Sequence, residues 1–370
     1  MKPTTPITID DATRRELSRF GFDQDQLHRF AARLRENPDE AQHATWVKGA
    51  ITPLEPGDVS VLPARGTKEY AALVDRGNAA LRAGEVGVVI LAGGMATRFG
   101  GVVKAAVPVT QGKTFLGLKV ADVAHLRMPV PIYVMTSFAT HDRIDQQIRD
   151  EKLIGVETFP QLVSVRLTPG GELFHEEDGS LSPYATGHGD LTFALRASGL
   201  LAKFRAAGGK ILFMSNVDNL GATLEPAIIG AHLASGAAIT AEVVRKEKGD
   251  KGGAPARLDG VPQIIEAFRF PPAFEQDSIP LFNTNTFVFD AKAIDRDFDL
   301  TFFRVEKKVG DAKVIQFERL VGQATAFVPS HFLEVPRSGN DGRLQPVKDP
   351  EELEHRRGDI EQILRAKHIL

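Results

Sequence analysis

The chain has 370 residues, 42% hydrophobic and 25% charged, with a net charge of -3, which is enough for one large domain with appendages or for two domains. The near-neutral balance leaves no global field to draw in nucleic acid or an anionic membrane, so an anionic substrate must be held by a few placed cations. The absence of cysteine excludes disulfides and thiolate chemistry; the acidic N-terminal stretch does not read as a signal peptide, and no apolar run reaches the ~18 residues of a membrane span, so the expected compartment is the cytoplasm.

Residues 1–80 read as a helical segment and linker. Leu17, Phe20, Phe22, Leu27, Phe30 and Leu34 recur at helical spacing among charged residues, which predicts amphipathic packing helices. The proline-rich stretch Ile51 to Pro63 reads as an extended connection, and a helix is predicted from Lys68 to Ala83. Beyond residue 80 the texture changes. Short apolar runs at 88–91, 132–135 and 211–215 alternate with helical patterns at 116–126, 142–150, 190–206 and 225–235. Such alternation predicts a largely parallel, doubly wound α/β sheet. Runs at 238–244 and 281–289 have no full helix between them, so the sheet is expected to be mixed at one side. The pattern extends to about residue 350, and residues 351–370 read as a charged amphipathic helix docked on the surface.

The strand at 88–91 runs into AGGMATRFGG, residues 92–101, with Lys104 shortly behind. Glycines directly after a strand let backbone amides approach a phosphate or base without an intervening Cβ, and Arg98 and Lys104 can neutralise phosphate charge. The spacing is neither GxGxxG nor GxxxxGK[ST], which disfavours a dinucleotide fold and a P-loop ATPase.

These motifs and those that follow them resemble the UDP-glucose pyrophosphorylase family, the eukaryotic-type UTP:glucose-1-phosphate uridylyltransferases. GGMATRFG, KTFLGLKV (113–120), TGHGDL (186–191), MSNVDNLGATL (214–224), LFNTNTF (281–287), VIQFERLVGQA (314–324) and VPRSGNDGRLQPVK (335–348) occur in the family's order, and ordered matches are far more specific than any one motif. The resemblance implies a GT-A-like (Rossmann-like) nucleotidyltransferase domain with a mixed, mostly parallel sheet. It implies a magnesium-dependent reaction of UTP with glucose-1-phosphate that yields UDP-glucose and pyrophosphate, with no nucleic-acid or membrane partner. By this resemblance Gly93 and Gly94 lie against uracil and ribose, and Gln161 reads the uracil edge. Gly187 and His188 sit at the junction of base and sugar phosphate, Asn216 contacts the sugar, and Asp218 anchors Mg2+. Glu266, Asn283 and Asn285 face glucose hydroxyls, while Lys104, Arg98 and Lys348 are the phosphate cations. Arg337 and Arg343 are further candidates for a pyrophosphate patch.

The chain departs from the family pattern in three places. Relatives place the glycine-loop lysine one residue further on, so Lys104 reaches the site only if loop curvature absorbs the difference, and Arg98 is the alternative cation. Thr286 stands where relatives have a second asparagine. Only residues 349–370 follow Lys348, so the C-terminal β-helix of the eukaryotic enzymes is expected to be missing, and a monomer or small homo-oligomer is expected. Asp218 could instead be a helix cap, and Asn283 and Asn285 could be simple edge or turn residues on one face of a strand. A pyrophosphorylase for galactose-1-phosphate or N-acetylglucosamine-1-phosphate, a UDP-sugar glycosyltransferase or hydrolase, and a non-catalytic UDP-sugar-binding protein are the competing readings.

Overall fold

A computed structural model describes residues 7–37, 45–96 and 99–370. Its centre is an eight-stranded sheet of β1 (Val59–Val61), β2 (Val86–Leu91), β3 (Ile132–Thr136), β4 (Val156–Pro160), β5 (Ile211–Asn216), β6 (Ile239–Arg245), β7 (Leu281–Asp290) and β8 (Ser330–Glu334), in the order β1-β8-β6-β7-β5-β2-β3-β4. Seven strands run parallel; β7 alone is antiparallel to its neighbours β5 and β6. The sheet is therefore mixed, as expected, but the odd strand lies inside it, where a side position was expected. The chain crosses between β6 and β7 through a hairpin of Ala254–Leu258 and Val261–Ile265, and a hairpin connection reverses direction where a helical crossover would keep it.

Strand β2 is buried along its whole length, as a central strand covered on both faces must be. Its alternate residues point to opposite faces. Val88 and Ile90 join a core with Leu81, Leu116, Ile229 and Leu364, drawn from α3 (Lys68–Arg82), α4 (Phe115–Ala124), α8 (Pro226–Ser235) and α9 (Pro350–Ala366). Val89 and Leu91 join a second core with Leu195, Leu201 and Phe204. That second face is covered by α6 (Leu191–Ala197) and α7 (Leu200–Ala206), where one helix over 190–206 was expected. Gly199 is left-handed at φ 77° and starts a new helix there, a turn that the apolar periodicity on either side does not register.

The N-terminal helices α1 (Asp11–Ser18) and α2 (Gln24–Glu36) pack Leu17, Leu27, Phe30 and Leu34 against Val163, Val165, Ile315 and Phe317. The phenyl rings of Phe30 and Phe317 stack at 4.4 Å. The expected boundary after residue 80 falls inside α3, whose Leu81 belongs to the central core. The remaining helix between β3 and β4 is α5 (His141–Asp150). Among the described residues no helix is long and apolar enough to cross a membrane.

Candidate active site

Parallel strands share one direction, so the loops leaving β2, β3 and β5 gather at their carboxyl ends, the usual place for ligands in such sheets. The turn after β2 is pinned from behind: the Ser137 hydroxyl donates to the Gly93 carbonyl at 2.8 Å and the Thr140 hydroxyl to that of Ala92 at 3.2 Å. A Cβ on Gly93 would meet the Gln161 amide group at 3.2 Å, whereas one on Gly94 would meet no atom of the described residues within 4 Å. One glycine thus seats Gln161 against the turn, and the next leaves an open backbone edge. Gln161 itself is buried.

Lys104 opens a short 3-10 turn, Lys104–Ala106, and its ammonium lies 2.5 Å from the Asp218 carboxylate. Two residues 114 apart in sequence are thereby brought together. Arg98, the alternative cation, lies outside the described residues. The helix-cap reading of Asp218 fails because α8 is preceded by Glu225 at its cap position. Asp218 instead sits in a turn held by its neighbour Asn219, which is buried, accepts from the Gln345 amide at 2.8 Å and donates to the Arg343 carbonyl at 3.1 Å.

Beside this turn opens a cavity of about 470 Å³, lined by His188, Asn216, Glu266, Asn283, Asn285 and Lys348 among others. Six predicted residues from five separate chain segments meet there. The asparagines owe their placement to an irregularity. Glu242 pairs with Thr286 and Val243 with Asn283, so Thr284 and Asn285 are extra residues in β7, and the bulge puts Asn285 at φ 57°, a left-handed conformation that asparagine tolerates better than most residues. Asn285 then donates to the Asn216 side chain at 3.1 Å, while its own amide donates to the Asn283 side chain at 3.1 Å. The edge-or-turn reading of this pair is thus corrected: β7 is an interior strand.

His188 accepts at Nδ1 from the Val321 amide at 3.2 Å, and burial pushes its pKa down to about 4. The ring is neutral at physiological pH and carries its proton on Nε2. Its preceding Gly187 is left-handed, and a Cβ there would lie 2.4 Å from the Arg319 carbonyl. Burial pushes the Glu266 carboxyl up to about 7, against the pull of the nearby Arg269. Near neutral pH this carboxyl can therefore donate as well as accept.

Arg343, a candidate for a pyrophosphate patch, is turned away from any such role. It is fully buried and grips Glu242 with both Nε (2.5 Å) and Nη2 (2.6 Å), tying the β6 side of the bulge to the segment that leads to Lys348. Arg337 lines the cavity, but its guanidinium is forked onto Asp250 at 2.8 Å. Three supporting residues went unassigned in the sequence. Asp190 of the GHGD motif, buried and 2.6 Å from Arg319, holds the Gly187 turn, and Lys119 donates to Ser215 at 2.9 Å and to the Ala222 carbonyl at 2.7 Å, spanning the Asp218 turn. Arg356 of α9 also lines the cavity. A charged residue at an apolar helix position was the signal for Lys119; for Arg356 there was none.

Among the described residues no group of three or more His, Cys, Asp or Glu could hold a metal ion. The donor set fits a different arrangement: Mg2+ commonly takes one or two carboxylates and completes its shell with substrate phosphates and water, and Asp218, partly exposed beside Lys104, offers one such carboxylate.

Residues 41–363 match the family described as UTP--glucose-1-phosphate uridylyltransferase. A protein of Dictyostelium discoideum named UTP--glucose-1-phosphate uridylyltransferase 2 is 31% identical over 314 residues, covering 77% of this chain and 61% of its own length, so the chain spans about three fifths of that relative. Among solved structures, a UDP-glucose phosphorylase from Trypanosoma brucei superposes with a TM-score of 0.72 at 23% identity, covering 92% of this chain and 77% of that one. A uridine diphosphate N-acetylglucosamine pyrophosphorylase from the same organism gives 0.75 at 17%, covering 96% and 79%. At such identities the likeness shows the fold, a nucleotidyltransferase fold, and leaves the sugar open. The length of the matched region, together with the likeness to the curated relatives, identifies the chain as a member of the UTP--glucose-1-phosphate uridylyltransferase family.

Proposed function

We propose that this chain transfers the uridylyl group of UTP to glucose-1-phosphate in a magnesium-dependent reaction, releasing pyrophosphate. The observation that carries the reading is the Lys104–Asp218 pair, a cation and a lone carboxylate beside a polar cavity lined by Asn216, Asn283, Asn285 and Glu266.

Both substrates are anions, so the main tasks are to neutralise charge and to align them. A phosphate oxygen of glucose-1-phosphate attacks the α-phosphorus of UTP. The new P–O bond forms as the bond to the bridging oxygen of pyrophosphate breaks, and that oxygen leaves with the electron pair. The attacking phosphate is already ionised near neutral pH, so no general base is needed. Gly93, Gly94 and Gln161 hold the base and ribose. Asn216, Asn283 and Asn285 offer donors and acceptors to sugar hydroxyls, and neutral His188 can donate from Nε2 without adding charge. Lys104 and Lys348 supply positive charge where it spreads over the transferred group, an effect felt in turnover more than in substrate binding. Asp218 would hold Mg2+ together with the phosphates, and the ion would act there as a Lewis acid on phosphoryl oxygen.

The test is pyrophosphate release from UTP and Mg2+ with glucose-1-phosphate, galactose-1-phosphate and N-acetylglucosamine-1-phosphate in parallel. The expected result is release that depends on glucose-1-phosphate and exceeds that with the other two. Preference for either other sugar phosphate would move the specificity, and binding of UDP-glucose without turnover on any of the three would make the chain a sensor.

A further inference from the structure

The C-terminal helix α9 was expected to lie on the surface, yet Arg356 and Asp359 from it line the cavity. The helix starts immediately after Lys348: Asp349 caps it by accepting from the Glu352 amide at 2.8 Å, and Pro350 opens its first turn. Glu352 then reaches back. One of its carboxylate oxygens accepts from the Lys348 backbone amide at 2.6 Å, and the other accepts from Arg356 Nη2 at 3.2 Å. The second arm of the guanidinium, Nη1, donates to the Gln345 side chain at 3.1 Å. Gln345 in turn donates its amide to Asn219, the neighbour of Asp218. A continuous hydrogen-bonded path therefore runs from α9, through both ends of the 345–348 segment, to the turn that carries Asp218.

We propose that Arg356 is a positioning residue for Lys348, and that α9 is a working part of the site. The guanidinium and Glu352 form a clamp across the segment 345–348, which fixes where the Lys348 side chain leaves the backbone. Three features favour a clamp over a direct phosphate contact by Arg356. Both of its terminal nitrogens are already engaged by protein acceptors, and its Nε is buried without a hydrogen-bond partner among the described residues. Glu352, at 3.2 Å, offsets its charge. Lys348 is exposed, and a flexible lysine stem serves a transition state only when its root is fixed.

This inference rests on the proposed uridylyl transfer, and the experiment separates the two. R356A, R356K, E352A and the double variant R356A/E352A are compared with the parent chain for kcat, for KM of each substrate and for thermal midpoint. A lysine at 356 keeps the charge but cannot fork onto Gln345 and Glu352 together. The expected result is that all four lose roughly tenfold in kcat, with KM values and the thermal midpoint near those of the parent. The double variant should be no worse than either single change, because members of one network do not add. Full activity in R356K with loss in R356A would make charge the role and overturn positioning. So would additive losses, unchanged kcat in R356A, or losses that only follow a lowered thermal midpoint. A parent chain inactive on every sugar phosphate would sink the functional reading and this inference with it; an active parent with indifferent variants would sink the inference alone.

Discussion

The two flanks of the site are built on different terms. On the glycine-turn flank, β2, β3 and β5 are parallel and regular, and their loops reach the site simply by leaving the sheet at the same end. On the asparagine flank, β7 runs the other way and would present only a side-chain ladder if it were regular. Its two extra residues break the ladder, turn Asn285 left-handed and send its amide to Asn216. One flank gets its geometry from topology; the other gets it from a local defect in pairing. The bulge is braced by the Thr284 hydroxyl on the Glu242 carbonyl at 2.9 Å and by the buried Glu242–Arg343 pair.

If that brace sustains the asparagine flank, breaking it should have the largest effect of all. The E242A change strands a buried guanidinium, and removal of one partner of a buried ion pair costs about 3–5 kcal/mol. We expect a loss of that size in denaturant unfolding, and an unchanged midpoint would show that the bulge stands without the pair. Next in size is the glycine-turn flank. D218A should lower kcat for pyrophosphate release by roughly 10²- to 10³-fold, the usual cost of one electrostatic contact to a transferring group, and near-parental turnover would mean that the carboxylate does not serve the chemistry.

The bulge itself can be probed with a smaller perturbation. N285A removes the amide and forces alanine into a left-handed backbone, at about 1 kcal/mol of strain, whereas N285G removes the amide alone. Both should raise KM for the sugar phosphate by about tenfold, a discrimination typical of a lost polar contact, but only N285A should lower the thermal midpoint as well. Equal midpoints would argue that the backbone of the bulge relaxes.

The smallest effect expected is one of pH. Glu266 is pushed from an ordinary 4.5 to about 7 by burial. The folded state therefore binds a proton that the unfolded state has released between those values, and stability falls as pH rises through that window. E266Q should flatten this slope and, at pH 8, stabilise the protein by on the order of 1–2 kcal/mol. His188, held down near 4 against an ordinary 6.5, gives the opposite slope below pH 6.5, so the comparison is cleanest between parent and E266Q in the same buffers. Identical pH profiles of thermal midpoint would mean that water reaches the Glu266 carboxyl and removes its shift.

The sequence alone carried the α/β alternation, the glycine turn after β2 and six of the residues that line the cavity, because strand and helix periods and ordered motifs are local properties of the chain. Lys104 and Asp218 were both readable, but their pairing was not, since nothing in the spacing of two residues 114 apart states that one loop curves toward the other. The interior place of β7, its bulge, the buried state of Arg343 and the reach of α9 into the cavity were decided only in the folded molecule. Each depends on which segment lies opposite which, and burial, register and charge compensation exist only between elements that have already met.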